Sequence, residues 1–273
     1  MTVHTLSARP GRQDPETGAQ PRPVPWRQML WVTWRQHRGL LVTTAVVLVG
    51  AVAGMLAEGL NLHHAYAGVA GCQPLQSAGC LQPESTSNSD WHAANGFRVA
   101  VLTLPVLIAL FSGPPVIARE LENTTYRYAW TQGIGRVRWT AAKLAILAAA
   151  LTIPAVVISM EFTWFFNPFM AQRNLTSVTP AVFFTRDLAY PAWTLTAFCA
   201  GAFLGTLLRR TLPAMAATLA AFALLAAVTW WGLRPHYPVH TYWPMQLFEG
   251  AWLVFLCAAL AAGTIHLVRH HAA

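Results

Sequence analysis

The polar side chains that could do chemistry are concentrated in one stretch, ARELENTTYRYAWTQGIGRVRW, residues 118–139. It holds four arginines and two glutamates, although only 10% of the chain is charged. These side chains make charge-assisted hydrogen bonds, but here they follow no known catalytic spacing. The Gly-Ile-Gly at residues 133–135 is too short for a nucleotide-binding motif and predicts a turn. The stretch therefore predicts contact with another surface rather than catalysis.

The familiar catalytic motifs are missing from the sequence. It has no GxxxxGK followed by Ser or Thr, and its only lysine, Lys143, stands in RWTAAKLA, so it lacks the phosphate loop of an ATPase. Neither GxSxG nor HExxH occurs. His236 and His240 are four residues apart, but Pro235 and Pro238 argue against a regular helix there, and no carboxylate is suitably spaced. We expect no enzyme activity, no metal site and no cofactor in this chain.

The composition indicates a membrane protein. Of the 273 residues 55% are hydrophobic, and the mean hydropathy is +0.41. The apolar residues form six uncharged runs, each close to the ~17–25 residues that a membrane-spanning helix needs. The runs are residues 39–57, 99–118, 144–160, 188–208, 211–233 and 250–268. The sequence predicts an all-α membrane protein with six transmembrane helices.

The basic residues are distributed unequally between the two ends of these predicted helices. With the N-terminus in the cytoplasm, fourteen lysines and arginines lie inside and four lie outside. Cytoplasmic loops carry an excess of basic residues, so we expect both termini inside a multi-pass protein of the cell membrane. The same arginines stand beside apolar runs, so they predict membrane orientation rather than nucleic-acid binding. The outer loops are then residues 58–98, 161–187 and 234–249.

The residues before the first run divide into two parts. Residues 1–25 are rich in proline and predict a disordered cytoplasmic tail, which leaves residues 26–273 for the membrane domain. In VPWRQMLWVTWRQHR, basic and apolar side chains take largely opposite faces, which predicts an amphipathic helix in the membrane interface. Its anchors would be Trp26, Trp31, Trp34 and Arg35. The alternative is a solvated extension of the first span.

Three glutamates fall near the predicted outer ends of the spans: Glu58, Glu161 and Glu249. Glu161 stands among aromatic residues in MEFTWFFNPF, so it either lines a substrate path or is hydrated at the outer interface. An ion-coupled carrier would need an acidic residue in the middle of a span, and the predicted spans place none there.

The positions of the cysteines and of one small-residue segment predict packing contacts and a disulfide. Cys199 and Cys257 lie inside apolar runs and predict inert packing. Cys72 and Cys80 share a polar outer loop, where an oxidising compartment allows a disulfide between them. The GAFLG segment at residues 201–205 allows close approach of another helix, and we expect that helix to belong to the same chain.

Three motifs occur in order between about residues 26 and 269. They are MLWVTWRQHRGLL near the start, RELENTT at residues 119–125 followed by Arg136 and Lys143, and YWPMQLFEGAW near the end. Together with six spans, these motifs resemble the permease subunits of type-2 ATP-binding-cassette exporters, in the bacterial branch of that family.

The resemblance implies an exporter whose energy comes from a separate ATPase subunit, which would bind ATP and Mg²⁺. Two permease subunits, identical or different, and two ATPases would form one complex in the lipid bilayer. The amphipathic segment would be the family's connecting helix, residues 119–132 its coupling helix, and residues 234–249 an outer re-entrant element. The coupling residues would be Arg119, Glu120, Leu121, Glu122, Thr125 and Tyr128.

The helical phase of that segment indicates how it would meet an ATPase. Leu121, Thr125 and Tyr128 form one stripe, spaced i, i+4 and i+7, which could enter a groove of the partner. The alternative is a solvated loop without a partner. Two other functions remain as alternatives for the whole chain: an ion-coupled secondary carrier, and a membrane-embedded enzyme that uses outer histidines such as His236 and His240.

Overall fold

The computed structural model describes residues 26–67, 84–122, 135–172, 175–238 and 240–270. Within these ranges the regular elements are all helical. The α-helices are α1 (Trp26–Ala67), α2 (Glu84–Ser112), α3 (Pro115–Glu122), α4 (Arg136–Gln172), α5 (Pro180–Phe183), α6 (Ala189–Leu208), α7 (Thr211–Ala227) and α8 (Tyr242–His270). A π-helix, Val228–Leu233, and a 3₁₀-helix, Arg234–His236, follow α7 without a break.

Six helical segments are long and apolar enough to cross a membrane. They are Leu41–His64, Asp90–Glu122, Val137–Met170, Ala189–Leu208, Thr211–His236 and Tyr242–His270. A helix satisfies its own backbone hydrogen bonds, which is what a segment in the hydrocarbon core requires. The predicted all-α fold with six transmembrane helices is confirmed. Several helices extend past the predicted apolar runs, because polar residues can continue a helix outside the hydrocarbon.

The first helix is much longer than the predicted apolar run. α1 runs unbroken for 42 residues, which at 1.5 Å per residue is about 63 Å, roughly twice the hydrocarbon thickness. The residues of the predicted interfacial helix form the first turns of α1, continuous with the first span. Their position in the membrane interface stays a prediction. Val32 packs against Trp139 and Ala142 at the start of α4 and holds the extension to the bundle.

The centre of the bundle is α6. Two thirds of its most apolar stretch is buried, 67%, compared with 11% for the first and fifth spans. Its small residues allow this, since a Cβ added at Gly205 would lie 2.6 Å from the carbonyl oxygen of Pro114. The GAFLG segment thus packs against the bend after α2 of the same chain, as the sequence predicts.

Cys199 on α6 and Cys257 on α8 face each other. Their sulfur atoms are in contact and their Cα atoms are 5.5 Å apart, within the range that a disulfide requires. Both side chains are buried. The prediction that the two act as separate packing residues is therefore corrected, because the structure pairs them between the fourth and sixth spans.

The structure shows how residues 234–249 are folded, and their re-entrant placement in the membrane stays a prediction. Residues 242–249 are the first turns of α8, and residues 234–236 complete the helical segment that begins with α7. Only residues 237–241 connect the two spans. We call this end of the bundle the Arg234 end, and the opposite end, where α3 meets the start of α7, the α3 end.

Candidate functional site

The polar stretch begins on α3, a two-turn helix that follows a proline bend. Pro114 and Pro115 lack the N–H groups that would continue the hydrogen bonds of α2, so α2 ends at Ser112. α3 restarts with proline as its first residue, a position that favours proline. Val116 and Ile117 are buried in a hydrophobic cluster, called the inner core here, that also contains Leu144, Leu147 and Phe198. One side of α3 is thereby fixed to the bundle.

Lys143, the only lysine of the chain, ties α3 to the fourth helix. Its side chain is 3% exposed and donates hydrogen bonds to the Val116 carbonyl, at 2.8 Å, and to Glu120 Oε1, at 2.7 Å. A buried ammonium group is tolerated only when it is paired and hydrogen-bonded. Both requirements are met by α3, so α3 and α4 are joined where the third span begins.

Glu122 ties the other side of α3 to the fifth span. Its Oε1 accepts a hydrogen bond from the Thr211 backbone N–H at 2.9 Å, and its Oε2 accepts one from the Thr211 hydroxyl at 2.5 Å. Thr211 is the first residue of α7. The carboxylate satisfies one of the N–H groups that every helix leaves open at its start, and its negative charge suits the helix dipole there.

The predicted coupling stripe is only partly described by the structure. Leu121 is half-buried and packs against the inner core, so its side chain already has a place within the chain. Arg119 is exposed, and Glu120 and Glu122 have the partners given above. Thr125 and Tyr128 lie outside the described residues, and their proposed contact with a partner stays a prediction.

The predicted anchors at the start of α1 point away from the bundle. Trp31 and Trp34 are exposed, and the guanidinium of Arg35 lies 5.3 Å from the centre of the Trp31 ring. Thr33, between them, is buried. This pattern leaves two tryptophans and an arginine on an outer face, as a membrane interface would use them. The side chain of Trp26 lies outside the description, although its backbone begins α1.

A cavity of about 920 Å³ lies at the α3 end, between α1, α2, α3, α4 and α7. Most of its lining is aliphatic or aromatic. The charged side chains in its wall come from α3 and the start of α4: Arg119, Glu120 and Lys143. Thr43 and Thr44 add hydroxyl groups from α1. The cavity is of the size that accepts drug-sized molecules, with few polar groups in an apolar wall.

Comparison with known protein families identifies the family to which this six-helix chain belongs. Residues 45–234 match the family model described as ABC-2 membrane transporter related, which covers more than half of the chain. The chain belongs to that family. Comparisons with curated proteins and with solved structures found no match.

Membership makes the chain a transmembrane transporter component of the type-2 ATP-binding-cassette class, and the predicted resemblance is confirmed at that level. The multi-pass architecture of this permease agrees with a location in the cell membrane.

A second polar cluster lies at the Arg234 end of the permease and is centred on Glu249. This side chain is 0% exposed. It accepts hydrogen bonds from Trp193 Nε1 at 2.9 Å, from two nitrogens of Arg234 at 3.0 Å each, and from the Tyr237 hydroxyl at 3.3 Å. Burial raises the pKa of Tyr237 to about 12, so its hydroxyl keeps the proton that it donates. The cluster joins α6, α8 and the segment between α7 and α8.

Aromatic rings complete the surroundings of Arg234. Its guanidinium carbon lies 4.3 Å from the centre of the Phe183 ring and 4.0 Å from that of Phe184. Trp230 lies further away, at 5.6 Å. Ring faces attract cations, so the rings and the carboxylate of Glu249 stabilise the same charge. At this end of the permease, a buried ion pair is therefore packed among aromatic side chains.

The remaining predicted residues contribute less to either cluster. Glu161 is half-buried on α4, and its Oε1 has no hydrogen-bond partner among the described residues. It lines neither the large cavity nor the apolar groove between α4, α6 and α8. His236 and His240 are exposed, and His236 Nδ1 lies 2.8 Å from the Gly232 carbonyl oxygen. Cys72 and Cys80 lie outside the described residues.

The sequence did not predict the three polar contacts on which these clusters depend. They are Lys143 with Glu120, Thr211 with Glu122, and Arg234 with Glu249. A signal was available for two of them. A single lysine beside an apolar run, and a glutamate inside an apolar helix, each require a counter-charge once they are buried.

Proposed function

We propose that the chain is the permease subunit of an ATP-driven exporter and that a separate ATPase subunit supplies the energy. The observation that carries this proposal is the construction of the α3 end. There, the short amphipathic helix α3, which ends the second spanning segment, is bonded both to the third span through Lys143 and to the fifth span through Glu122. A helix held in this way can pass a displacement from outside the bilayer to two spans.

The proposed contact with the ATPase is formed by the predicted coupling helix, residues 119–132, and its docking surface lies after Glu122. Arg119 is exposed at its start, and helical phase would place Thr125 and Tyr128 on one face. Since Leu121 packs within the chain, the docking stripe consists of Thr125 and Tyr128 rather than all three residues. Charged side chains would lie at the rim, where they mainly set orientation and association rate.

The predicted orientation places this contact in the cytoplasm, where ATP is available. ATP and Mg²⁺ would then bind the partner subunit, in agreement with the missing phosphate loop. A complete exporter would contain a second permease subunit, identical or different, and two ATPases. The similarity to the bacterial branch remains part of this proposal.

The positions of the buried charges favour an exporter over an ion-coupled carrier. Among the described residues, the buried charged side chains are Lys143, Arg186 and Glu249. Lys143 lies at the start of α4, Arg186 lies between α5 and α6, and Glu249 lies two turns into α8. A proton or ion relay would use charged residues near the middle of the spans. The described charges instead lie near the two ends.

The test is purification of the tagged chain from its native membrane. We expect an ATP-binding-cassette ATPase to co-purify and to hydrolyse ATP. Tyr128→Asp should lose the ATPase, because a charge replaces the apolar ring of the proposed docking stripe. Tyr126→Asp is the matched control, since the same change two residues away lies off the stripe. Equal recovery of the ATPase with both variants would contradict the proposed docking.

A further inference from the structure

The two carboxylates of α3 reach opposite sides of that helix. Glu120 and Glu122 are two residues apart, so their side chains leave the axis about 200° from each other. Glu120 meets Lys143 on α4, and Glu122 meets Thr211 on α7. α3 therefore links the third span to the fifth span, with one carboxylate on each side. This linkage is called the α3 strut, and its two ends are the Glu120–Lys143 contact and the Glu122–Thr211 contact.

The two ends of this strut differ in their exposure to water. Lys143 is 3% exposed and also bonds the Val116 carbonyl, so this end is enclosed by the protein. Glu122 is exposed, and both of its hydrogen bonds to Thr211 are open to solvent. Water competes for an exposed bond far more than for a buried one. The contact between Glu120 and Lys143 is therefore permanent, whereas the hydrogen bonds between Glu122 and Thr211 can form and break.

The element attached to the releasable end is suited to movement. Only 11% of the most apolar stretch of the fifth span is buried, so most of its surface does not pack against the bundle. A tight turn at Arg209 and Arg210 joins it to α6, and Arg209 has a φ of 54°, the left-handed conformation that ends a helix. The start of α7 is thus fixed by this turn and by Glu122.

The same element forms one wall of the large cavity. Thr211 and Met215 of α7 line it, and so do Glu120 of α3 and Lys143 of α4. A displacement of α7 relative to α4 therefore changes the shape of the cavity. The bond that couples α3 to α7 acts at the edge of that wall.

We propose that Glu122 is a positioning residue, which transmits a displacement of α3 to the fifth span through Thr211 and thereby opens or closes the cavity at the α3 end. This inference rests on the proposed function, since the displacement comes from the ATPase. The role of Glu122 is then mechanical, and its loss separates ATP hydrolysis from movement of the cavity wall without removing the ATPase.

The test uses the whole complex, purified from its native membrane and reconstituted in nanodiscs of phosphatidylethanolamine and phosphatidylglycerol. Met215→Cys introduces a thiol in the cavity wall. Its reaction rate with a water-soluble maleimide is measured without nucleotide and with ATP plus vanadate. Mass spectrometry of the peptide that contains position 215 excludes signal from the native cysteines. The quantity of interest is the ratio of the two rates.

Three variants in the Met215→Cys background separate the contributions. Glu122→Ala removes both bonds to Thr211 and should abolish the difference between the two rates. Thr211→Val keeps the backbone N–H and the shape but removes the hydroxyl, so it should reduce the difference. Thr211→Ser keeps both donors and should retain it. All three should still co-purify with the ATPase, because the changed atoms bond within the chain and the docking stripe of Thr125 and Tyr128 is unchanged.

The outcomes distinguish the inference from the proposed function. If the chain without changes at Glu122 or Thr211 recovers no ATPase, or shows no ATP hydrolysis, the proposed function is overturned and the inference with it. If that chain responds to nucleotide and Glu122→Ala gives the same ratio, only the inference is overturned. A merely structural role would change both rates together and leave their ratio intact. Should Glu122→Ala fail to accumulate, an unchanged ratio in Thr211→Val overturns the inference.

Discussion

Replacement of Glu249 by glutamine should destabilise the permease strongly, because it leaves the charge of Arg234 without its counter-charge. Glutamine has nearly the same shape as glutamate and can still accept the bond from Trp193. Its amide nitrogen, however, is a donor, and Arg234 and Tyr237 both present donors to this position. Both members of the ion pair are enclosed, with side-chain exposures of 0% for Glu249 and 9% for Arg234.

The expected magnitude follows from two opposing effects. Loss of one partner from a buried ion pair costs about 3–5 kcal/mol. The aromatic rings around Arg234 remain and offset this by about 0.5–2 kcal/mol, which favours a net loss near the lower limit, about 3 kcal/mol. With about 2–4 °C per kcal/mol for a chain of this size, the melting temperature should fall by about 6–12 °C.

Thermal unfolding in detergent, followed by tryptophan fluorescence, measures this shift. Glu58→Gln is the matched control, since Glu58 is an exposed glutamate in the second half of α1 and its replacement should change stability by less than about 0.5 kcal/mol. The double variant Arg234→Gln, Glu249→Gln removes the unpaired charge and should melt no lower than Glu249→Gln alone. Equal melting temperatures for Glu249→Gln and Glu58→Gln would refute the proposed importance of the pair.

Three further predictions concern other parts of the chain. Gly205→Ala should lower the melting temperature, since its Cβ would lie 2.6 Å from the Pro114 carbonyl oxygen, whereas Gly50→Ala meets nothing within 4 Å and should not; equal melting would contradict the packing. Cys72 and Cys80 should form a disulfide, which adds less than the ~3 kcal/mol estimated for a 15-residue loop, and two free thiols in non-reduced peptides from native membranes would refute it. The purified chain alone should hydrolyse no ATP, and turnover above a mock preparation would disprove this.

The architecture could be predicted from the sequence because hydrocarbon imposes a simple rule. Every spanning helix must be long and apolar, and its backbone groups must hydrogen-bond within the helix, so six apolar runs imply six helices. The same rule is silent on where a helix ends outside the bilayer. For that reason the unbroken α1 (Trp26–Ala67) and the early start of α8 (Tyr242–His270) differ from the prediction.

The site was harder to predict because its bonds join residues that are distant in the sequence. Glu122 and Thr211 are 89 positions apart, and Glu120 and Lys143 are 23 apart. Helical phase correctly separates the two glutamates around α3, but it cannot show which helix lies on each side. The same limit applied to Leu121, whose place in the stripe suggested a partner protein and whose actual neighbours are residues of the inner core.

The most direct test of the account is electron cryomicroscopy of the complex purified from its native membrane in nanodiscs. We expect two permease subunits and two ATPases, with the coupling helix of each permease, residues 119–132, seated in a groove of an ATPase and Tyr128 at the contact. A complex in which these residues touch no other subunit, or a permease purified at full activity without any ATPase, would contradict it.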